Sequence, residues 1–95
     1  MKTPSEINQL IIEFEIREEM ESSFKAILEN HTSEDLDIEN KNISIESEKI
    51  EYTITEFGYH KFKVQILDER NIEIGYFALV ISKSNERIDE FFVIY

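Results

Sequence analysis

The sequence predicts an α+β fold: an N-terminal helix or helix pair packed on a four- to five-stranded antiparallel meander. Three observations predict it. A helix-start signature opens the chain, a helical apolar stripe continues to about residue 30, and the apolar period then falls to two. Ninety-five residues suit a single domain, with 1–31 helical and 36–95 forming the sheet.

Thr3-Pro4-Ser5-Glu6 combines a Thr N-cap, a Pro at the first helical position and a Glu that closes a capping box. Ile7, Leu10, Ile11 and Phe14 follow at helical spacing, and Ile16, Met20, Phe24, Ile27 and Leu28 continue it. The second stripe is rotated by roughly 110° from the first, at about 100° per residue. Residues 4–30 are therefore one bent helix or two helices broken near Arg17-Glu18-Glu19. A rival reading makes Leu10–Ile16 a strand, because Ile12, Phe14 and Ile16 alternate with Glu13 and Glu15. The cap favours the helix.

Turn formers Asn30 to Asp35 close the helical region. Ile43 and Ile45, then Ile50, Tyr52 and Ile54, then Phe62, Val64 and Ile66 each alternate with polar residues, the signature of half-buried strands. The breaks at Phe57-Gly58-Tyr59 and Asp68-Glu69-Arg70-Asn71 are too short for crossover helices, so these strands are antiparallel neighbours. Ile72–Ile81 and Arg87–Tyr95 are apolar on both parities, which predicts cover on both faces. Phe62, Val64, Ile66, Tyr76, Val80, Phe92 and Ile94 are expected on one buried face. Phe77, Leu79, Phe91, Val93 and Tyr95 are expected on the other, beneath a helix or a second chain. The layout is similar to cystatin-like and NTF2-like folds, a likeness that assigns no function.

The formal charge is −11, unevenly placed: residues 13–56 hold fourteen acids and four bases, the rest seven acids and six bases. A field this negative repels nucleic acid and anionic membranes and attracts basic partners. Cysteine is absent, which removes disulfides and thiolate metal sites. Met1–Glu6 lacks the blocks of a secretory leader, and no apolar run approaches the ~20 residues of a membrane span, so a cytoplasmic protein is expected.

Catalytic motifs are missing: there is no GxSxG, P-loop or GxGxxG. His31 and His60 are isolated, and both read as exposed turn or strand-end residues. Asp35, Asp37, Glu39 and Glu46 copy several ligand spacings of an EF-hand loop, but Asn40 stands where the turn Gly belongs and a strand pattern follows where a helix should. Lys61 and Lys63 are the only tight basic pair, on an outward strand face. The expectation is a protein that is not an enzyme, binds no cofactor or metal, and acts by occupying another protein. Its candidate partner-binding residues are Glu34, Asp35, Asp37, Glu39, Glu46, Glu48 and Glu51, joined by Glu18, Glu19 and Glu21 into one negative surface.

The size, the acidity and the closing ribbon Ile74–Ile81 with Arg87–Tyr95 resemble bacterial immunity proteins, which guard cells against polymorphic or contact-dependent-inhibition toxins. The resemblance implies a cognate toxin as partner, and the acidity points to a basic, nuclease-type one. It carries over no individual residue. Two other readings stand beside it: a small ligand-binding or adaptor domain with a cavity between sheet and helix, and a homodimer paired through the C-terminal strands.

Overall fold

A computed structural model describes residues 2–95. Two helices, α1 (Pro4–Glu13) and α2 (Ile16–Asn30), precede five antiparallel strands: β1 (Ser44–Ile45), β2 (Glu51–Ile54), β3 (His60–Leu67), β4 (Glu73–Ile81) and β5 (Arg87–Ile94). The capping box forms as its residues predict. Thr3 Oγ1 accepts from the Glu6 amide at 3.3 Å, and Glu6 Oε1 accepts from the Thr3 amide at 3.4 Å. The helical break lies at Phe14–Glu15, upstream of the expected Arg17–Glu19. Glu15 takes φ 52°, ψ 45°, a left-handed conformation that turns the chain between α1 and α2. This break reconciles the two stripes: Ile11 from α1 and Ile16, Met20 and Phe24 from α2 all become buried. The strand reading of Leu10–Ile16 is not realised.

The sheet runs β1-β3-β4-β5, with β2 also on β3. β2, β3, β4 and β5 form the expected antiparallel meander, and β1 pairs with β3, not with β2. β1 and β2 occupy successive stretches of one β3 edge, Ile45 beside Ile66 and Tyr52 beside Phe62. Three hairpin turns share one construction. In Thr55–Tyr59, Asp68–Ile72 and Ser82–Glu86 the first residue's carbonyl accepts from the fourth amide, and its own amide bonds the fifth carbonyl. The fourth residue, Gly58, Asn71 or Asn85, is left-handed. The first residue's Thr, Asp or Ser oxygen accepts from the fifth amide each time.

Register decides which face each β4 residue takes. Phe62 pairs with Leu79, Val64 with Phe77 and Ile66 with Gly75, so Phe77 and Leu79 lie on the helix-covered face. Tyr76 and Val80 lie on the opposite one, the reverse of the parity expected. The cause is that β4 is apolar at both parities, so its own pattern carries no phase information. Phe62, Val64, Ile66, Phe77 and Leu79 are buried with Ile16 and Met20. Phe24 of α2 meets Phe77 edge-on at 5.8 Å and stacks on Phe92 at 5.9 Å.

The expected second apolar set is therefore split. Phe77 and Leu79 are core, whereas Phe91 and Tyr95 are exposed and Val93 is half-buried on the outer face. There the stems of Lys61 and Lys63 replace a covering helix. Lys61 Nζ lies 5.3 Å from the Phe91 ring centre and Lys63 Nζ 4.5 Å from that of Tyr76. Ala78 and Val80 are buried beneath such neighbours.

Candidate acidic binding site

The loop between α2 and β1 carries Glu34, Asp35, Asp37 and Glu39 to the end of the sheet where β4 begins and β5 finishes. Its shape is local: the Asp35 amide bonds Thr32 Oγ1 at 3.1 Å, Leu36 and Ile38 bond back to Thr32 and Ser33, and Asp37 is left-handed at φ 61°. Asp37 and Glu39 line a cleft of about 380 Å³. The β3–β4 turn, through Asp68 and Glu69, and the first residue of β4, Glu73, supply the other acids, and Ile38, Ile43, Ile74 and Ile94 contribute apolar surface. Five carboxylates thus face one cation, Arg70.

Hydrogen bonds position Asp68 and Glu73. Asp68 Oδ1 accepts from the amides of Ile72 and Arg70, both at 2.9 Å, and Asp68 Oδ2 lies 3.5 Å from the Arg70 guanidinium. These contacts, the Ile72 amide foremost, hold the Asp68 carboxyl below the usual range. Glu73 accepts from Gln65 Nε2 at 2.8 Å and from the Tyr95 hydroxyl at 2.6 Å. The bond to Glu73 raises the Tyr95 hydroxyl above its ordinary value. Arg70 is therefore partly engaged by Asp68, leaving Glu69, Asp37 and Glu39 without a recorded ion pair among the described residues.

The other predicted acids are dispersed. Glu19 pairs with Arg87 at 2.7 Å, across from α2 to the start of β5. Glu48 lies 3.9 Å from Arg17, whose Nε also bonds the Ser47 carbonyl at 3.1 Å. Glu51 lies 4.0 Å from Lys63 on the outer sheet face. Glu46 is half-buried beside β3, its amide on the Gln65 carbonyl. Glu18 and Glu21 are exposed on α2. Of the ten, Asp37 and Glu39 share the cleft with acids of the near-neutral remainder, Asp68, Glu69 and Glu73. Charge counted along the chain cannot show that meeting, because a hairpin turn brings 68–73 to the loop only in three dimensions.

His60 is buried, not exposed as expected, at 7%. Its Nδ1 lies 2.7 Å from the Tyr52 hydroxyl, and Phe14 and Phe62 pack on the ring. Burial first, then Lys2 and Lys83, push its pKa below the ordinary histidine value. His31 is exposed. Among the described residues no group of three or more His, Cys, Asp or Glu side chains is arranged to hold a metal ion. No described helix is long and apolar enough to cross a membrane. Comparison of the chain with protein-family models, with curated proteins and with solved structures finds no match.

Proposed function

We propose that this chain is a non-enzymatic binding protein that neutralises a basic partner, in the manner of an immunity protein covering the cationic cleft of a nuclease-type toxin in the cytoplasm. One observation carries the reading: five carboxylates converge with a single arginine around a cleft of about 380 Å³ that also offers isoleucine surface. Nucleases carry basic clefts for phosphate, so a protein of net charge −11 is steered towards them and obstructs substrate entry. Isoleucine surface beside carboxylates suits an inserted Lys or Arg, whose stem is apolar and whose head is cationic.

The test is to co-express the protein with the product of the adjacent open reading frame and to measure growth and association. Asp35→Lys/Asp37→Lys/Glu39→Lys should leave the fold intact, since exposed loop charges contribute little stability. It should slow association about tenfold or more and abolish protection, with the wild-type on-rate falling as salt rises. Association unchanged by the triple reversal would remove the acidic cleft from the interface. No association by the wild type would defeat the immunity reading.

A further inference from the structure

β5 is the outer strand of the sheet, and one of its edges is unpaired. Two hydrogen bonds fix which backbone groups that edge presents. The Tyr95 amide donates inward to the Ile74 carbonyl at 2.9 Å, whereas the Glu90 amide turns to the Asp89 carboxylate at 2.8 Å. Antiparallel pairing alternates, so Phe91 and Val93 address β4 while Glu90, Phe92 and Ile94 address the open side. Among the described residues, no backbone hydrogen bond outside the helices and ladders reaches the amides of Phe92 and Ile94.

A cleft follows this edge on the helix side. Its volume is about 410 Å³, and Ile27 of α2, Asp35, Leu36 and Asp37 of the loop, and Glu90 and Phe92 of β5 line it. The side chains of a strand laid against β5 would alternate, and those level with Glu90, Phe92 and Ile94 would enter this cleft. Three acids and an apolar wall would receive them. The next cleft along, about 240 Å³, again includes Glu90. Arg87 adds little opposing charge, because Glu19 at 2.7 Å and Glu90 at 3.4 Å already flank it.

We propose that the β5 edge binds an extended segment of a partner protein by strand addition, with lysine or arginine alternating with apolar residues on that segment. The inference rests on the binding reading above and gives the partner's contact a form: backbone pairing at Glu90–Ile94, cations beside Asp35, Asp37 and Glu90 with their stems along Ile27 and Leu36, and the alternate apolar side chains on the outer face beside Phe91 and Val93. Charge selects this occupant over a second copy of the chain. Two copies bring −11 each, and two-fold pairing about Asp89 or Glu90 sets like acids opposite one another. A bulge at Ile88, between the pairs Val80–Asp89 and Ile81–Arg87, further breaks the edge against self-association.

The test uses the full, isotope-labelled chain and a blocked seven-residue peptide of alternating lysine and valine, with a glutamate–valine peptide as control. On binding the lysine peptide, amide exchange at Phe92 and Ile94 should slow by about tenfold or more, while the already bonded amides of Phe91 and Val93 stay as they were. Asp89→Lys/Glu90→Lys, exposed on the edge, should keep the fold and lose binding by about tenfold or more. Strand addition is overturned by no binding of the lysine peptide, by equal binding of the glutamate peptide, or by protection of Phe92 and Ile94 that grows with protein concentration alone. Peptide binding that perturbs Asp37, Glu39 and Glu73 but leaves Phe92 and Ile94 unprotected also overturns it, while the acidic-cleft reading stands.

Discussion

Glu15 and His60 each hold a conformation or a protonation state that the surrounding chain imposes. At Glu15 a left-handed backbone costs about 1–2 kcal/mol in a residue with a Cβ, and it allows both helical stripes to face the same sheet. At His60 the cost concerns charge. Its folded pKa is lowered, so the unfolded chain binds the additional proton more readily. The associated stability is fully present above the unfolded value of about 6.5 and is lost as pH falls below it towards the folded value. Urea midpoints should therefore fall between about pH 6.5 and pH 5, before the carboxylates titrate, and His60→Phe should flatten that slope. A slope that persists in the variant would assign it to other groups. The Asp68 carboxyl acts in a lower window: its depressed pKa adds stability above the ordinary carboxylate range, lost on further acidification.

At the scale of the elements, β4 is the strand on which the sheet depends, and Gly75 fixes how β5 lies against it. A Cβ built on Gly75 would stand 1.9 Å from the Val93 carbonyl oxygen, a backbone atom that cannot rotate away. Gly75→Ala should therefore cost at least about 2 kcal/mol in denaturant unfolding, as overpacking does, and should shift the amide resonances of Val93 and Ile94. A variant as stable as wild type would mean that the two strands can separate locally at no cost. β3 was legible from its residues because one parity is apolar and the other polar, so Phe62, Val64 and Ile66 could only be core. The phase of β4 was not legible. Tyr76, Ala78 and Val80 are as apolar as Phe77, Leu79 and Ile81, and the choice is made by pairing with β3 and by the bulge between Ile66 and Leu67. Thr3 and Glu6 announced α1 through side-chain chemistry, whereas nothing in the type of residue 15 announces a left-handed turn. The acidic cleft was half legible. Asp37 and Glu39 stood out in an acid-rich stretch, while Asp68, Glu69 and Glu73 join them only once β3 and β4 fold back.

For the whole molecule, the balance of charge is unfavourable to compactness. Six ion pairs are recorded among the described residues, and most of their members are substantially exposed. Such pairs contribute roughly 0–1 kcal/mol each, too little to offset a net charge of −11 spread over 95 residues. Salt should stabilise the protein. Its thermal midpoint should rise as ionic strength increases from about 0.01 M to about 1 M, over which the screening length falls from roughly 30 Å to 3 Å. A falling midpoint would show that the local pairs outweigh the general repulsion.

The placement of Phe24 between Phe77 and Phe92 also bears on how the chain is made. Helices of ten and fifteen residues are marginal in water by themselves, so α1 and α2 depend on the sheet for persistence. The ribosome delivers them before their aromatic neighbours on β4 and β5. During synthesis the helical segment thus waits for a stable environment, with Ile11, Ile16, Met20 and Phe24 open to chaperones until β4 and β5 emerge.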